Sequence, residues 1–265
     1  MSGKTALIVG AGHGLSASLA RKCHQRGMAV TLAARDITKL SDLSEDIGAK
    51  AHICDASDPK SVAELFSSLD LDGMTLDLVL YNPSYRQRAP FIELDVEEVR
   101  KALMISCFGG FLIGLEAAKR MIKQGAGAIF FTGASASIKG YKESAPFAMG
   151  KFGLRGLAQS MARELAPKNV HVAHFVIDGG IQKLNDPRTD LRDKEGLLDP
   201  DSIAELERFI KIYPFTFLKD SGKIFLITVD AVIEPDPINS YKLSIFFRLK
   251  SSKILLIAVS EKSIF

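Results

Sequence analysis

In this 265-residue chain the segment most suited to chemistry is Val9-Gly10-Ala11-Gly12-His13-Gly14-Leu15-Ser16. Glycine reaches positive φ at little cost, and without a Cβ its backbone amides can come close to a phosphate. A helix beginning at Leu15 would add the partial positive charge of its N-terminus to the same anion. A dinucleotide carrying a pyrophosphate fits such a loop, through Gly10, Gly12, His13, Gly14 and Leu15. The plain alternative is a strand-to-helix turn that needs glycine for geometry alone. A second candidate is Arg35, just after the apolar run Val30-Thr31-Leu32-Ala33-Ala34. An acid at that strand end would accept from the ribose 2′-OH of NAD, which Ala34 cannot do. A guanidinium there would instead pair with the 2′-phosphate of NADP, so NADP(H) is expected over NAD(H). Asp36 beside it pulls the other way, and a solvated loop charge is the plain alternative for Arg35.

These residues need a scaffold, and the first 206 residues alternate short β-branched runs with longer amphipathic ones. Strands are expected at Thr5–Val9, Ala29–Ala33, Ala51–Cys54, Leu76–Leu80, Ala128–Thr132 and Val170–Val176. Helices are expected at Leu15–Arg26, Ile37–Ile47, Pro59–Leu69 and Ala148–Leu165, with one or two more over Val96–Gln124. Leu154, Leu157, Ala158, Met161 and Leu165 give the Ala148–Leu165 helix its apolar face. Strand–helix alternation at these lengths predicts an α/β fold of the Rossmann type, a doubly wound parallel sheet covered on both faces.

Composition narrows the function classes. The net charge is +3 with both signs mixed along the chain, which argues against nucleic acid or a membrane surface held by charge alone. Cys23, Cys54 and Cys107 are odd in number and widely spaced, so neither a metal nor a disulfide framework is expected. No leader is visible and no apolar run is read as a membrane span, so a cytoplasmic protein is expected. His24, His52, His171 and His174 show no ligand spacing and are expected at the surface or in the core. On a strand, His171 and His174 would point to opposite faces. Residues 1–206 hold 20 of the 21 glycines, whereas 207–265 hold seven of the 16 phenylalanines, so a boundary is drawn near Leu206. In the tail, Ile224–Val232, Leu243–Leu249 and Ile254–Val259 read as strands, with no recognisable chemistry.

With these motifs in order, residues 1–206 resemble a short-chain dehydrogenase/reductase. The resemblance places Gly10 and Gly14 at the first two glycines of T-G-x-x-x-G-x-G, with Ser16 at the third. It places His13 where members that prefer NADP often carry a basic residue. Asp55, with Ala56, matches the acid that contacts adenine, and Asn82 the surviving asparagine of N-N-A-G. Asp178-Gly179-Gly180-Ile181 matches the segment beside the nicotinamide, implicating Gly179 and Ile181.

The resemblance implies a catalytic set of Asn, Ser, Tyr and Lys, and only Lys151 matches it. Phe147 occupies the tyrosine position, so the phenol that would donate the proton is missing. Ala134 falls at the serine spacing, with Ser135 its neighbour and Ser137 near, and Ser106 takes the place of the asparagine. A missing general acid costs typically 10²–10⁴ in rate. Tyr141, Ser135 and Ser137 are the possible substitutes. The family implies an oxidoreductase acting on a small carbonyl or alcohol, often as a homo-oligomer. The alternative is a dinucleotide-binding protein, a sensor or pseudoenzyme, without catalysis. Leu184–Leu198 would form a substrate lid and Asp199–Glu205 start a helix. Tyr85-Arg86-Gln87-Arg88 reads as a solvated loop, with binding of an acidic substrate group as the other option. Phe108-Gly109-Gly110-Phe111 suggests close helix packing, with packing across a dimer as one option.

Overall fold

The computed structural model describes residues 3–181 and 197–204, and the strands 224–229, 243–249 and 252–259. Chain order gives β1 (Thr5–Val9), α1 (Leu15–Gln25), β2 (Ala29–Ala34), α2 (Ser41–Ile47), β3 (Lys50–Ile53), α3 (Pro59–Leu71) and β4 (Leu78–Tyr81). There follow α4 (Val96–Leu103), α5 (Gly109–Gln124), β5 (Gly127–Thr132), α6 (Ala145–Leu165) and β6 (Val170–Ile177). The short strands β7 (Gly180–Ile181) and β8 (Leu197–Leu198) pair with each other, and α7 (Pro200–Ala204) comes next. Beyond it lie β9 (Ile224–Val229), β10 (Leu243–Leu249) and β11 (Ser252–Val259).

The main sheet runs β10-β11-β9-β6-β5-β4-β1-β2-β3. From β3 to β9 every pairing is parallel, and β11 and β10 close that edge antiparallel. The central parallel strands β1, β4 and β5 bury both faces, and the two-residue period of the strand decides which residue goes where. Leu7 and Val9 join α3, α5 and α6 through Phe66, Ile113 and Leu154, whereas Ala6 and Ile8 join α1 and α2 through Ala20, Leu43 and Ile47. The order reverses between β1 and β4, and in open sheets of this kind the crevice at that reversal is where ligands bind.

The expected elements form, with local corrections. Ile37–Ile47 is not one helix: a 3₁₀ turn at Thr38–Leu40 precedes α2, because the Asp36 carboxylate accepts from the Thr38 amide at 3.1 Å and from its hydroxyl at 2.6 Å. Helix α6 begins three residues before the expected start, with Pro146 in its first turn, where a missing amide costs nothing. Asp58 caps α3 by accepting from the Lys60 and Ser61 amides, ahead of Pro59. The Val96–Gln124 stretch is one helix, interrupted by a π-helical turn at Met104–Phe108.

That helix is also long and apolar enough to cross a membrane by length and composition, contrary to the expectation that no such run exists. In the fold one face of it is in the core, with Ala102, Ile113, Ala117 and Met121 fully buried, whereas Phe111, Leu115 and Ile122 are exposed. Its glycines serve packing within the chain: a Cβ on Gly109 would meet the Tyr81 hydroxyl at 2.5 Å, and one on Gly110 would meet Leu154 Cδ1 at 2.5 Å. In the tail, β9 takes the parallel place beside β6. The boundary near Leu206 and most of the expected lid lie outside the described residues.

Candidate functional site

The glycine-rich turn joins β1 to α1 and is fixed from three sides. Gly10 adopts φ +77°, open to glycine, and its amide donates to the Ala33 carbonyl at 2.9 Å. A Cβ there would lie 2.7 Å from the Pro83 nitrogen, so Pro83 and Gly10 are fitted to each other. Ser16, standing at the third glycine position, is 2% exposed. Its hydroxyl donates to the Gly10 carbonyl at 2.9 Å and accepts from Asn82 Nδ2 at 2.6 Å. The Asn82 amide donates to the Val9 carbonyl at 3.0 Å. The serine thus ties the β1 turn to the β4 turn across the strand reversal. Gly12 faces open space, and α1 has neither a capping side chain nor an acid in its first turn. Its first amides and the positive end of its dipole are therefore directed at whatever anion enters.

From this turn a cleft of about 630 Å³ extends past Arg35, Asp36 and Lys39, past Asp55, Ala56 and Ser57, and past Asn82, Pro83, Ser84, Ile105 and Ile181. Asp36, the residue that argued against NADP, is engaged by its neighbours. Thr38 donates to it, and Lys39 Nζ lies 3.2 Å from its carboxylate. The Thr38 hydroxyl, Lys39 and the Thr38 amide hold its carboxyl below the ordinary range. Lys39 is a cleft residue that the sequence did not mark. Burial opposes charge on Asp55, but the Ser57 hydroxyl at 2.6 Å, the Ser57 amide at 2.9 Å and the field of Arg35 outweigh it, and the carboxyl stays below its ordinary value.

Lys151, Phe147 and Ser135 do not line this cleft. Lys151 is 2% exposed, and its Nζ donates to the Thr132 carbonyl at 2.7 Å. Burial pushes its ammonium down to about 8. Phe147, one helical turn earlier on α6, is half-buried, with Lys151 Nζ 5.9 Å from its ring centroid. Ser106 sits in the π-helical turn and is fully buried, with Gly150 against it: a Cβ on Gly150 would lie 2.8 Å from Ser106 Cβ. Its hydroxyl accepts from the Tyr85 amide at 3.5 Å. Ser106 therefore anchors a loop and packs a helix instead of facing a substrate. Ser137 is also fully buried: its hydroxyl accepts from the Ala134 amide at 3.1 Å and lies 3.4 Å from His174 Nε2. Ser135 is half-buried. Tyr141 is exposed, with Lys139 Nζ 5.3 Å from its ring centroid. Ile181 lines the cleft as expected, whereas Gly179 does not: it packs on Leu198, where a Cβ would be 2.9 Å from Cδ1.

Two residues given a plain role by sequence acquire a place here. His174 is 3% exposed and stands behind Gly133, whose Cβ would lie 2.2 Å from the imidazole Cε1. Burial, then the Lys151 and Arg155 cations, push it down to about 3, so it is neutral. Arg86, read as part of a solvated loop, lies with its guanidinium carbon 5.1 Å from the Phe147 centroid. Both contacts join residues far apart in the chain, and no local pattern announces them.

Known proteins carry the same architecture. The short chain dehydrogenase family model matches residues 4–183. A 3-oxoacyl-[acyl-carrier-protein] reductase from Rickettsia bellii is 26% identical over 70% of this chain and 78% of its own length. A trans-4-hydroxycyclohexanecarboxylate dehydrogenase from Sinomonas cyclohexanicum is 31% identical over 64% of this chain and 69% of its own length. Among solved structures, a short-chain dehydrogenase from Rhodopseudomonas palustris is 32% identical and superposes with a TM-score of 0.68 over 80% of this chain and 93% of that one. The glycine turn, the strand reversal and the buried Lys151 thus sit in a chain that belongs to the short-chain dehydrogenase family of NAD(P)-dependent oxidoreductases.

Proposed function

We propose that this chain is an NADP(H)-dependent oxidoreductase that interconverts a small carbonyl compound and its alcohol, working without the phenol its family uses. The observation that carries this reading is the cleft, which an open glycine turn, Arg35 and Asp55 line together, the set a dinucleotide would need. Its volume and donors fit such a group: Gly12 leaves the α1 amides open, and Asp36 is engaged by Thr38 and Lys39, which leaves Arg35 to face a 2′-phosphate. The names of the relatives describe alcohol or carbonyl chemistry, and an alcohol dehydrogenase from Thermococcus sibiricus sharing the fold was solved with 5-hydroxy-NADP.

When bound, the nicotinamide supplies or accepts hydride. The protein's own part is to orient it and to handle one proton. Gly10 to Leu15 would hold the diphosphate, Asp55 and Ala56 the adenine, and Asn82 and Ile181 the nicotinamide end, with Lys151 buried behind it on the Thr132 carbonyl. Ser137 is fully buried, accepting from the Ala134 amide and facing His174 Nε2, which leaves the half-buried Ser135 as the hydroxyl of that segment that would orient a carbonyl oxygen. Lys151 Nζ is the ionisable group of the site, and at a pKa of about 8 it still carries its proton at neutral pH.

The test is isotopic. The protein is incubated with NADPH deuterated at C4 and a panel of small aldehydes and ketones, and the products are weighed by mass spectrometry. Deuterium in an alcohol product supports the reading. Tight NADPH binding with no deuterium transfer, even after Phe147→Tyr, favours a non-catalytic dinucleotide-binding protein.

A further inference from the structure

The turn that carries Ser135 is held from several sides. It leaves β5 at Thr132, whose carbonyl accepts from Lys151 Nζ at 2.7 Å, and closes as a 3₁₀ turn over Ser135–Ser137. The Gly133 amide donates to the Phe175 carbonyl at 2.7 Å, and the Ser137 carbonyl accepts from Arg155 Nη1 at 3.2 Å. Within the turn, Ser137 Oγ accepts from the Ala134 amide at 3.1 Å. A buried side chain then meets it from β6. His174, in register with Phe131, brings Nε2 to 3.4 Å from Ser137 Oγ. Gly133 makes room for the ring, since a Cβ there would stand 2.5 Å from the same Nε2. His174 lies outside the lining of the cofactor cleft, so holding a dinucleotide gives it no task.

The chemistry of the pair fixes its direction. Ser137 Oγ already takes one N–H, so its own proton is what it has left to give, and Nε2 is the acceptor within reach. The imidazole is then neutral, with its proton on Nδ1. An imidazolium would set an N–H against the Ser137 proton and add a third positive charge beside Lys151 and Arg155. Nδ1 is buried and has no hydrogen-bond partner among the described residues. An apolar pair at 137 and 174 would fill the same space without that cost, so packing alone does not account for a histidine here. A hydroxyl that orients a carbonyl oxygen acts only from the right place, and the place of Ser135 is set by the turn beneath it. We propose that His174 is a positioning residue for the reaction: by accepting from Ser137 it fixes the turn, and thereby aims the Ser135 hydroxyl at the substrate's carbonyl oxygen. This rests on the oxidoreductase reading above and goes beyond it by naming what aims Ser135.

The test separates aim from folding. Wild type, His174→Asn, His174→Gln and Ser137→Ala are compared in deuteride transfer from C4-deuterated NADPH to the carbonyl compound of the panel above that wild type reduces fastest. Exchange of the Ala134 amide in D₂O is followed by NMR in the NADP⁺ complex, and NADPH affinity and melting report an intact fold. Asparagine withdraws its amide from Ser137, so His174→Asn should lower kcat by roughly 10–100-fold at unchanged NADPH affinity. Its Ala134 amide should exchange at least about 10-fold faster than in wild type. Glutamine places an amide where Nε2 stood, and His174→Gln should recover most of both. Ser137→Ala should lower kcat as far as His174→Asn does, and the two together no further, because one bond serves both. A lower melting temperature with kcat unchanged in His174→Asn overturns the proposal and leaves His174 a structural residue. Should His174→Asn not fold, a Ser137→Ala as fast as wild type overturns it, and a slow Ser137→Ala beside a fast His174→Gln supports it. The two readings fail separately. Transfer that is equally fast in wild type, His174→Asn and Ser137→Ala removes the role of His174 and keeps the oxidoreductase. No transfer by wild type, with Ala134 protection lost in His174→Asn, removes the oxidoreductase and keeps the hold of His174 on the turn.

Discussion

The two ends of the site were built under different constraints. At the cofactor end, the one departure from the family's glycine pattern, Ser16, is absorbed by two short hydrogen bonds that link Gly10 to Asn82. At the substrate end, the departures change what the site offers. Phe147 has no hydroxyl, Ser106 is sealed beneath Tyr85 and Gly150, and Ser137 is turned toward His174. A backbone cradle tolerates a side-chain substitution if the new group can be satisfied locally. Proton transfer does not tolerate one, because it depends on a single atom in a single place. The contrast gives an enzyme whose hold on its cofactor should be ordinary and whose chemistry should be slow or redirected.

Phe147→Tyr is the strongest way to break this comparison. If only the phenol is missing, the variant should gain roughly 10²–10⁴ in carbonyl reduction, with NADPH affinity unchanged. A variant no faster than wild type, with NADPH still bound, would place the altered chemistry elsewhere. Gly10→Ala attacks the other end. It forces a Cβ to within 2.7 Å of Pro83 at φ +77°, and a loss of about 2–4 kcal/mol in stability, with NADPH binding abolished, is expected from melting and titration. Unchanged melting and binding would show that the Gly10–Pro83 fit is not what shapes the turn.

The fold was legible because its signals are local. Apolar runs with a two-residue period, Gly10 to Gly14 after the first of them, and caps such as Asp58-Pro59 each specify their own element. Most of the residues expected at a cofactor end line one cleft for the same reason, since they sit on turns directly after strands. The substrate end was legible only by matching positions 147 and 151. Arg86 meets Phe147 across 61 positions, and His174 reaches Gly133 and Ser137 from the neighbouring strand. Such pairs follow from strand order and helix placement, which a pattern of types along the chain does not contain. Lys39 escaped because a lysine in a 3₁₀ turn looks like any surface charge until Asp36 is seen to engage it.

Two smaller effects sharpen the contrast. Arg35→Asp should cost NADPH roughly 10–100-fold in affinity while NADH loses little, measured by fluorescence titration of each cofactor. Equal losses for both would mean that Arg35 supports the loop and does not face the 2′-phosphate. His174 predicts a pH effect on stability. Its folded pKa of about 3 lies below the unfolded value near 6.5, so the unfolded chain binds more protons between them, and stability falls as pH falls through that window. The loss from this group between pH 7 and pH 5 is about 1–2 kcal/mol, and His174→Gln should remove that share of the slope in urea unfolding. An identical slope in the variant would show that His174 is not held neutral in the fold.

The most direct measurement is titration of the purified protein with NADPH and with NADH, following nicotinamide fluorescence, which the chain's lack of tryptophan leaves with little protein background. Saturable NADPH binding, at least about 10-fold tighter than NADH, is the result the proposed reading predicts, since a guanidinium at Arg35 in the cleft would pair with a 2′-phosphate that NADH lacks. Binding of neither cofactor, or of both equally, would contradict the claim that the cofactor end is intact and built for NADP.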